Sequence, residues 1–433
     1  MENLEDIVSR QNPQWGTPSF IPVEINLPRR KGIQEKINPW LNKRLIVALI
    51  GLRRTGKSTV LNQIKGDLLK NTNPKHVFAF SFEKSQVKLH QDSLRQILNY
   101  YFDTVLNLVP QQLTEKVYLF LDEIQYIPYW QDVVKTFYDF NPNIKFFISG
   151  STSLFIHKRA LESLAGRIIE IGIPPLTFED YLLISGHNLG NFDENFRFAS
   201  NLVNAVFEEY LTMGQFPEPV KEKYLAENMG QYFATIEEKI IEQDIPKLYS
   251  VKMVDILRLI FDYCKDRDGS IIEYGNLSSD LGIDSKLTAR YFRYLEKAYL
   301  ISFCLNNTKK PIRAARTGKK VYLESVNMSS SSLSMKVENY VFNWLKTRGE
   351  VKFHRFKDFE VDFVLFAEKL VLPVEVKYQE KIRPADYHNL IKLAGDKKLD
   401  RALLVTKNLH DKIVVGGITL DIVPAVLLEN FGI

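Results

Sequence analysis

Apolar runs alternate with helical periodicities between residues 45 and 148. Four short segments are almost wholly apolar, as strands buried on both faces of a sheet are: 45–50, 76–82, 117–121 and 145–148. The segments that follow the first three carry apolar residues at helical spacing: 57–69, 92–108 and 130–138. Strands separated by helices predict a parallel sheet with right-handed crossovers. We therefore expect an α/β domain over residues 1–180, on which a lead-in segment up to about residue 40 packs.

The pattern becomes mainly helical after residue 180. Residues 202–249 are typical of helices with a break at Gly214-Gln215-Phe216-Pro217, which predicts a helical lid over 181–250. Amphipathic helices are then expected at 253–264, 276–281 and 285–297, and an apolar strand at 299–305. Three helices followed by strands favour a winged helix over 251–324.

A second α/β block closes the chain. It begins with a serine-rich stretch at 325–334, which predicts a flexible connection. Apolar or alternating segments then predict strands at 351–353, 360–365, 372–377 and 402–406. We expect a C-terminal α/β domain over 325–433.

One glycine-rich turn follows the first predicted strand. Its residues, Gly51-Leu52-Arg53-Arg54-Thr55-Gly56-Lys57-Ser58, have the spacing G-x-x-x-x-G-K-[ST]. Glycines let main-chain N–H groups curl toward phosphate oxygens, and the next helix adds its N-terminal dipole. Lys57 would reach the β- and γ-phosphates, and Ser58 would bind Mg²⁺. The buried strand before the turn and the amphipathic helix after it fit a nucleotide-binding loop.

Two acids end the strand at 117–121. Asp122 would hold the Mg²⁺ shell, and Glu123 would polarise the attacking water. Ser149, at the end of the fourth strand, either senses the γ-phosphate or caps a helix. Arg167 either supplies positive charge to the transition state or lies on the surface. Arg53 and Arg54 contact either nucleotide or solvent.

Charged residues interrupt two of the C-terminal strands. Glu375 and Lys377 are two apart, so both point to one face of a strand. If the strands pair as a hairpin, Asp362 can lie beside Glu375, and the two carboxylates could bind a divalent cation while Lys377 activates water. Glu338 could complete the metal shell. The alternative is an ordinary half-exposed strand without chemistry.

Composition restricts the class of protein. The chain has 433 residues, with 45% apolar and 25% charged residues, which is typical of a globular protein of about three domains. No apolar run has the length of a membrane span, the N-terminus lacks a secretory core, and the two cysteines, Cys264 and Cys304, have no metal-binding spacing. We therefore expect a cytoplasmic protein with no membrane partner.

A basic run indicates a possible nucleic-acid contact. Residues 309–320 contain six basic residues and no acid, and they follow the helix at 285–297, which itself carries Lys286, Arg290 and Arg293. The six are Lys309, Lys310, Arg313, Arg316, Lys319 and Lys320. Such a run can neutralise the phosphates of double-stranded DNA, whereas the alternatives are a solvated loop or a protein-contact module. The net charge of +5 permits either partner.

Taken together, these motifs resemble a prokaryotic AAA+-like ATPase family. The similarity rests on the loop from Gly51 to Thr59, on Phe120-Leu121-Asp122-Glu123-Ile124-Gln125, on Ser149-Gly150-Ser151 and on Leu164-Ala165-Gly166-Arg167. The break at Gly214-Gln215-Phe216-Pro217-Glu218 resembles the family's Gly-Gly-x-Pro-Glu, with Gln215 in place of a glycine. The resemblance implies ATP and Mg²⁺ as cofactors, with the loop residues Gly51, Arg53, Arg54, Thr55, Gly56, Lys57, Ser58 and Thr59 at the nucleotide.

The same resemblance extends over nearly the whole chain. It implies a winged-helix segment and a C-terminal domain similar to the PD-(D/E)xK nuclease fold, whose E…D…ExK pattern would be Glu338, Asp362, Glu375 and Lys377. We favour an ATP-hydrolysing switch that acts on or near DNA. The alternatives are a nucleotide-gated DNA-binding regulator or protein-interaction module without nuclease activity, and an ATP-coupled nuclease. An arginine donated by a neighbouring copy would require a homo-oligomer, which the sequence leaves open.

Overall fold

The computed structural model of the protein describes residues 4–83, 90–151, 164–188, 192–308, 318–357, 359–368 and 370–432. Within it the chain divides into two compact units, Met1–Pro174 and Pro175–Ile433. In the described residues, no helix combines the length and the apolar character that crossing a membrane requires. Cys264 and Cys304 are both buried free thiols.

The N-terminal unit is built on a parallel sheet, as predicted. Five strands of its described part form the sheet in the order β2-β3-β4-β1-β5. They are β1 (Ile46–Ile50), β2 (Val77–Ser81), β3 (Val117–Asp122), β4 (Ile144–Gly150) and β5 (Ile168–Gly172). The sequence predicted the first four. It missed β5, because this edge strand buries few of its residues and so lacks a continuous apolar run.

Helices cover the sheet of the N-terminal unit. They are α1 (Leu4–Gln11), α2 (Lys31–Ile37), α3 (Lys57–Leu69), α4 (Ser93–Tyr100) and α5 (Trp130–Phe140). The helix expected over 92–108 is α-helical only to Tyr100 and continues as a π-helical turn, Tyr101–Leu106. Apolar residues of α2 and α3 pack on β1 and β4 in one core.

The lead-in segment packs on this unit and protects the edge strand β2. The Asn12 side chain accepts a hydrogen bond from Ala79 N (2.7 Å) and donates one to Ala79 O (2.8 Å). Gln14 Nε2 donates to Val77 O at 2.9 Å, and Gln11 Oε1 accepts from Ser81 N at 2.6 Å. Three side-chain amides thus satisfy edge groups that would otherwise be open to another strand.

The C-terminal unit begins with helices. In chain order they are α6 (Phe178–Ser185), α7 (Phe192–Met213), α8 (Pro217–Glu222), α9 (Ala226–Glu238), α10 (Ile245–Tyr249), α11 (Val254–Asp266), α12 (Tyr274–Leu281) and α13 (Ser285–Lys297). Two more, α14 (Leu333–Lys346) and α15 (His388–Asp396), pack on opposite faces of the sheet described next.

Nine strands of the described residues form that sheet, in the order β13-β14-β12-β11-β10-β9-β7-β8-β6. They are β6 (Ile271–Ile272), β7 (Ile301–Asn306), β8 (Lys319–Leu323), β9 (Glu350–Phe356), β10 (Phe359–Ala367), β11 (Leu370–Lys377), β12 (Arg401–Thr406), β13 (Asp411–Val415) and β14 (Ile418–Pro424). Strands β9 to β11 form an antiparallel meander, and α15 connects β11 to the parallel strand β12.

The structure corrects the expected flexible connection at 325–334. Residues Val326, Asn327 and Met328 form a buried 3-10 turn. The Asn327 side chain accepts a hydrogen bond from Gln215 N (2.7 Å) and donates one to Tyr210 O (2.9 Å). The sheet also runs across the predicted boundary at 324/325, because β7 pairs with β9. Serine content alone predicted mobility, but these residues satisfy buried polar groups.

Candidate nucleotide site

The turn after β1 has the backbone geometry that its glycines allow. Gly51 has φ +145°, and a Cβ at this position would lie 2.4 Å from the carbonyl oxygen of Ile173. Gly56 is left-handed, with φ 97°, and immediately precedes α3. Both positions therefore require glycine, the first for space and the second for conformation. The loop between them is fixed to β1 on one side and to α3 on the other.

Lys57 lies at the centre of this loop. Its side chain is almost fully buried, and Nζ donates hydrogen bonds to Gly51 O (3.1 Å) and Leu52 O (2.9 Å). Burial lowers the pKa of Lys57, and the nearby carboxylates of Glu123 and Asp122 oppose that shift. The loop thus curls around an ammonium group that faces two acids.

Asp122, the last residue of β3, lies against the start of α3. The Ser58 hydroxyl donates to its two carboxylate oxygens at 3.1 and 2.9 Å, and the Ser149 hydroxyl donates to Oδ1. Burial raises the pKa of Asp122, as does the charge of Glu123, while the serine hydroxyls and Lys57 oppose the rise. A hydroxyl beside a carboxylate is a donor set of hard oxygens that suits Mg²⁺. Ser58 and Asp122 are therefore the residues that would hold it.

Glu123 is held in a constrained position next to Asp122. Its backbone is left-handed (φ 54°) and the residue is buried, with its N–H donating to Ser149 Oγ at 3.0 Å. The carboxylate accepts hydrogen bonds from Ser151 Oγ (2.9 Å) and from Gln125 Nε2. Burial acts to raise the pKa of Glu123, but Lys57 and these two hydrogen bonds outweigh it and hold the pKa below its ordinary value. Glu123 is thus an ionised acid with a fixed orientation.

Sequence reasoning missed two of these partners. Ser151 and Gln125 stood inside motifs that were noted, yet neither was assigned a role. Ser149 was expected to sense a phosphate or cap a helix, which stays a prediction; in the structure its hydroxyl donates to Asp122 and accepts the N–H of Glu123. The signal that could have found Ser151 is its position two residues after Ser149, directly after β4, which is the strand next to β3. This spacing places two side chains on the same face of an extended chain.

The remaining loop residues lie around this centre in different ways. Thr55 is buried, and its hydroxyl donates to Leu52 O at 2.9 Å, so it supports the loop itself. Arg53 forms an ion pair with Glu83, whereas Arg54 is exposed with a left-handed backbone (φ 63°). Thr59 is half-buried on the first turn of α3.

Arg167 does not join the site of its own chain. Its carbonyl accepts the N–H of Ile46 at 2.8 Å, so it lies at the amino end of β1, roughly 16 Å of strand away from the loop. Its guanidinium pairs with Asp139 (Nε to Oδ1, 3.2 Å) and lies over the ring of Tyr138. The expected catalytic role is therefore corrected for the loop of the same chain, because Arg167 lies at the opposite end of β1 from that loop.

The C-terminal carboxylates do meet. Asp362 N donates to Glu375 Oε2 (3.3 Å), Val376 N donates to Asp362 Oδ2 (2.8 Å), and Lys377 Nζ contacts Glu375 Oε1 (2.5 Å). Glu338, on α14, accepts a hydrogen bond from Tyr322 at 2.7 Å. Burial, reinforced by the charge of Asp362, raises the pKa of both Glu338 and Glu375 to about 7.

A metal shell at this second cluster does not follow from the geometry. Within the described parts of the chain, no three His, Cys, Asp or Glu side chains group in a way that could hold a metal ion. The expectation that Glu338 completes such a shell stays a prediction. Its carboxylate is turned toward Tyr322 and Lys320 instead.

The basic run is only partly described. Lys309, Lys310, Arg313 and Arg316 lie outside the described residues. Lys319 Nζ lies over the rings of Tyr274 and Phe303. Lys320 is only 5% exposed, so its expected contact with DNA phosphates is corrected.

The fold and the loop geometry of the N-terminal unit define a P-loop nucleotide-binding domain. Residues 43–182 match a family model described as an AAA domain, which supports an AAA-type P-loop ATPase. Residues 204–332 and 334–425 match two models described as domains of unknown function, DUF8612 and DUF4143 respectively.

The chain is similar along most of its length to proteins without a described activity. An uncharacterized protein of Haemophilus influenzae is 25% identical over 92% of this chain and 98% of its own length. An uncharacterized protein of Methanocaldococcus jannaschii is 26% identical over 89% of this chain and 86% of its own.

Among solved structures, similarity is remote. The Thermotoga maritima RuvB Holliday junction branch migration motor has a TM-score of 0.32 and 15% identity, over 68% of this chain and 92% of its own. The Aeropyrum pernix ORC1 protein in complex with DNA has a TM-score of 0.33 and 13% identity, over 73% and 94%. TM-scores this low carry no argument about function.

Proposed function

We propose that the N-terminal unit binds ATP with Mg²⁺ and hydrolyses it. The observation that carries this proposal is the direct contact of the Ser58 hydroxyl with the Asp122 carboxylate, 2.9 Å apart, beside the buried ammonium of Lys57. Lys57 and Ser58 follow the loop, whereas Asp122 ends β3, and the three groups meet beside the loop whose main-chain N–H groups would bind a polyphosphate.

Each residue has a distinct part in this proposal. Lys57 exchanges the carbonyl oxygens of Gly51 and Leu52 for phosphate oxygens, and Ser58 and Asp122 hold the metal ion. When bound, Mg²⁺ neutralises charge on the β- and γ-phosphates. Glu123 orients the attacking water and accepts its proton, since its lowered pKa keeps it ionised at neutral pH.

Two variants test the nucleotide site separately. Lys57→Ala should abolish ATP binding, because it removes the only ammonium group that the described loop brings among its carbonyls. Glu123→Gln should keep ATP binding and lower the hydrolysis rate by about 100-fold or more, because an amide cannot accept the proton. Binding is measured with a fluorescent ATP analogue and hydrolysis by phosphate release.

Lys70→Ala is the matched control for the lysine. Lys70 follows the other end of α3 and pairs with Asp67 at the surface, so its loss should change neither quantity. Unchanged ATP affinity in Lys57→Ala, or unchanged turnover in Glu123→Gln, would contradict the proposed roles.

A second proposal concerns DNA, and it is favoured by the surface of α13. Lys286, Arg290 and Arg293 are exposed at positions i, i+4 and i+7, so they share one face of the helix. The opposite face is buried through Tyr291, Phe292 and Leu295. The helices α11 to α13, followed by the hairpin of β7 and β8, have the order of a winged helix. We infer that α13 contacts the phosphates of double-stranded DNA.

Charge reversal on this face tests the contact. The variant K286E/R290E/R293E should weaken binding of a fluorescent duplex at least about tenfold and lower the slope of log affinity against log salt by about 3, as lost phosphate contacts do. The control K221E/K223E/K381E changes the net charge equally at three exposed lysines elsewhere. If both variants lose affinity equally, or neither does, then α13 is not the contact, and a protein-contact role for this segment replaces it.

A further inference from the structure

Lys320 occupies an unusual position for a lysine. It lies within β8, opposite Cys304 of β7 and Ile271 of β6. Only 5% of the surface of Lys320 is exposed. A buried ammonium group is costly unless charged or polar partners surround it. Because β8 pairs with a strand on each side, the position of the Lys320 Cβ is set by the register of the sheet. The side chain can therefore reach only partners close to this part of the sheet.

Those partners are two acids, and one of them, Glu338, belongs to the C-terminal cluster. Lys320 Nζ lies 3.3 Å from Glu338 Oε1, on α14, and 3.0 Å from Glu360 Oε1, on β10. The other carboxylate oxygen of Glu360 faces Arg355 Nε at 3.6 Å. One ammonium group therefore joins a helix and a strand that reach it from different parts of the chain.

The other carboxylates of the cluster are also engaged by donors of the protein. Glu375 accepts from Lys377 Nζ and from Asp362 N, while Asp362 accepts from Val376 N. Two ammonium groups, those of Lys320 and Lys377, bring the same charge as one divalent cation. Both carboxylate oxygens of Glu375 and one oxygen each of Asp362 and Glu338 are thus already paired with donors of the protein. The described residues contain no group of three His, Cys, Asp or Glu side chains that could hold a metal ion.

We propose that Lys320 is the built-in cation of this cluster and takes the place of a divalent metal ion. The C-terminal unit then uses its acids to hold α14, β8 and β10 together and needs no metal. It follows that the nuclease-like carboxylate pattern has a structural role in this protein, without metal-dependent strand cleavage.

Mn²⁺ titration of the full-length chain tests this directly. Both proteins carry D122N, which removes the carboxylate that would hold a metal ion at the nucleotide site, and no nucleotide is added. At about pH 8, where carboxyl groups ionise, the parent should leave Mn²⁺ free up to about 1 mM. K320M removes the ammonium group but keeps the apolar stem, and it should gain about one Mn²⁺ per chain with an affinity at least about tenfold higher. Free Mn²⁺ is measured by electron paramagnetic resonance.

Further variants identify the site and keep the test decisive. K320M/D362N should lose the gained Mn²⁺, and the control K352M, which changes a lysine of β9 paired with Glu350, should behave as the parent. A parent that already binds one Mn²⁺, lost with D362N, overturns the proposal even if K320M does not fold. A folded K320M that gains no Mn²⁺ also overturns it, because Lys320 would then not be what excludes the metal.

Discussion

At the scale of single residues, the buried acid Asp268 gives the C-terminal unit a dependence on pH. Its carboxylate accepts hydrogen bonds from Asn339 Nδ2 (2.9 and 3.0 Å) and Leu323 N (3.3 Å), and the residue is 1% exposed. Burial raises its pKa to about 6 from an ordinary value of 3.8, against the opposing effect of these hydrogen bonds and of Lys336. Between these pH values the folded protein holds a proton that the unfolded chain has released. The free energy of unfolding should therefore fall as the pH rises through this window.

Asp268→Asn removes this titration and so isolates it. The unfolding free energy of the parent minus that of the variant should decrease by up to about 3 kcal/mol between about pH 4 and pH 6. Other carboxyls titrate equally in both proteins and cancel in the difference. Urea unfolding followed by circular dichroism at several pH values measures it. A difference that stays constant over the window would show that Asp268 keeps its ordinary pKa.

The residues predicted from sequence are those whose role is fixed by local spacing. Lys57, Ser58 and Asp122 follow from a loop motif and a strand end, and the structure brings them together. The partners of other predicted acids come from distant parts of the chain: Ser151 donates to Glu123, and Lys320 of β8 donates to Glu338 of α14. A sequence motif contains no information on such contacts, because they depend on strand order and register.

At the scale of elements, the sequence predicted a helix or strand correctly where one face of it is apolar and where capping residues mark its ends. Helix α13 spans Ser285–Lys297, as predicted, because the Asp284 side chain caps its first turn and its buried residues recur at helical spacing.

The prediction of a flexible connection at 325–334 was wrong, because contacts with a distant part of the chain order this serine-rich segment. The carbonyl of the Gln215 side chain accepts hydrogen bonds from Ser325 Oγ and Val326 N, both at 2.8 Å. Gln215, which departs from the family's glycine, thus fastens the segment that composition alone predicts to be mobile.

Two edge strands were also missed by the prediction from sequence. β5 and β13 carry alternating or polar residues, since each is the last strand of its sheet in the described chain, and neither was predicted. A central strand such as β4 is buried along its whole length and was found readily. Position in the sheet is not the whole explanation, because the edge strand β2 was predicted and the internal strand β14 was not.

At the scale of the whole molecule, the phosphate loop contacts the last residues of the first unit, Ile173 and Pro174. Ile173 N donates to Ile50 O at 2.7 Å, and Gly51 approaches the Ile173 carbonyl so closely that a Cβ would not fit. Arg30 donates to Pro174 O (2.9 Å) and to Thr55 O of the loop (3.3 Å). Pro174 and Pro175 follow directly, and proline restricts the backbone of itself and of the residue before it. A change in the loop would therefore act on the backbone at the end of the first unit.

This connection yields a prediction for the proposed nucleotide-driven switch. Nucleotide must draw Lys57 away from the Gly51 carbonyl, so the contacts of Gly51 with Ile173 should shift between the ATP and ADP states. In the second unit, Leu176 N donates to Gln215 O at 2.9 Å. We expect the amide exchange of Leu176, and of the segment around Gln215, to differ between E123Q loaded with ATP and the same protein with ADP. Hydrogen–deuterium exchange with mass spectrometry measures this, with K57A as the control that binds neither. If the two nucleotides alter exchange only before Pro174, ATP hydrolysis does not act on the C-terminal unit, and the switch proposal fails although ATP binding stands.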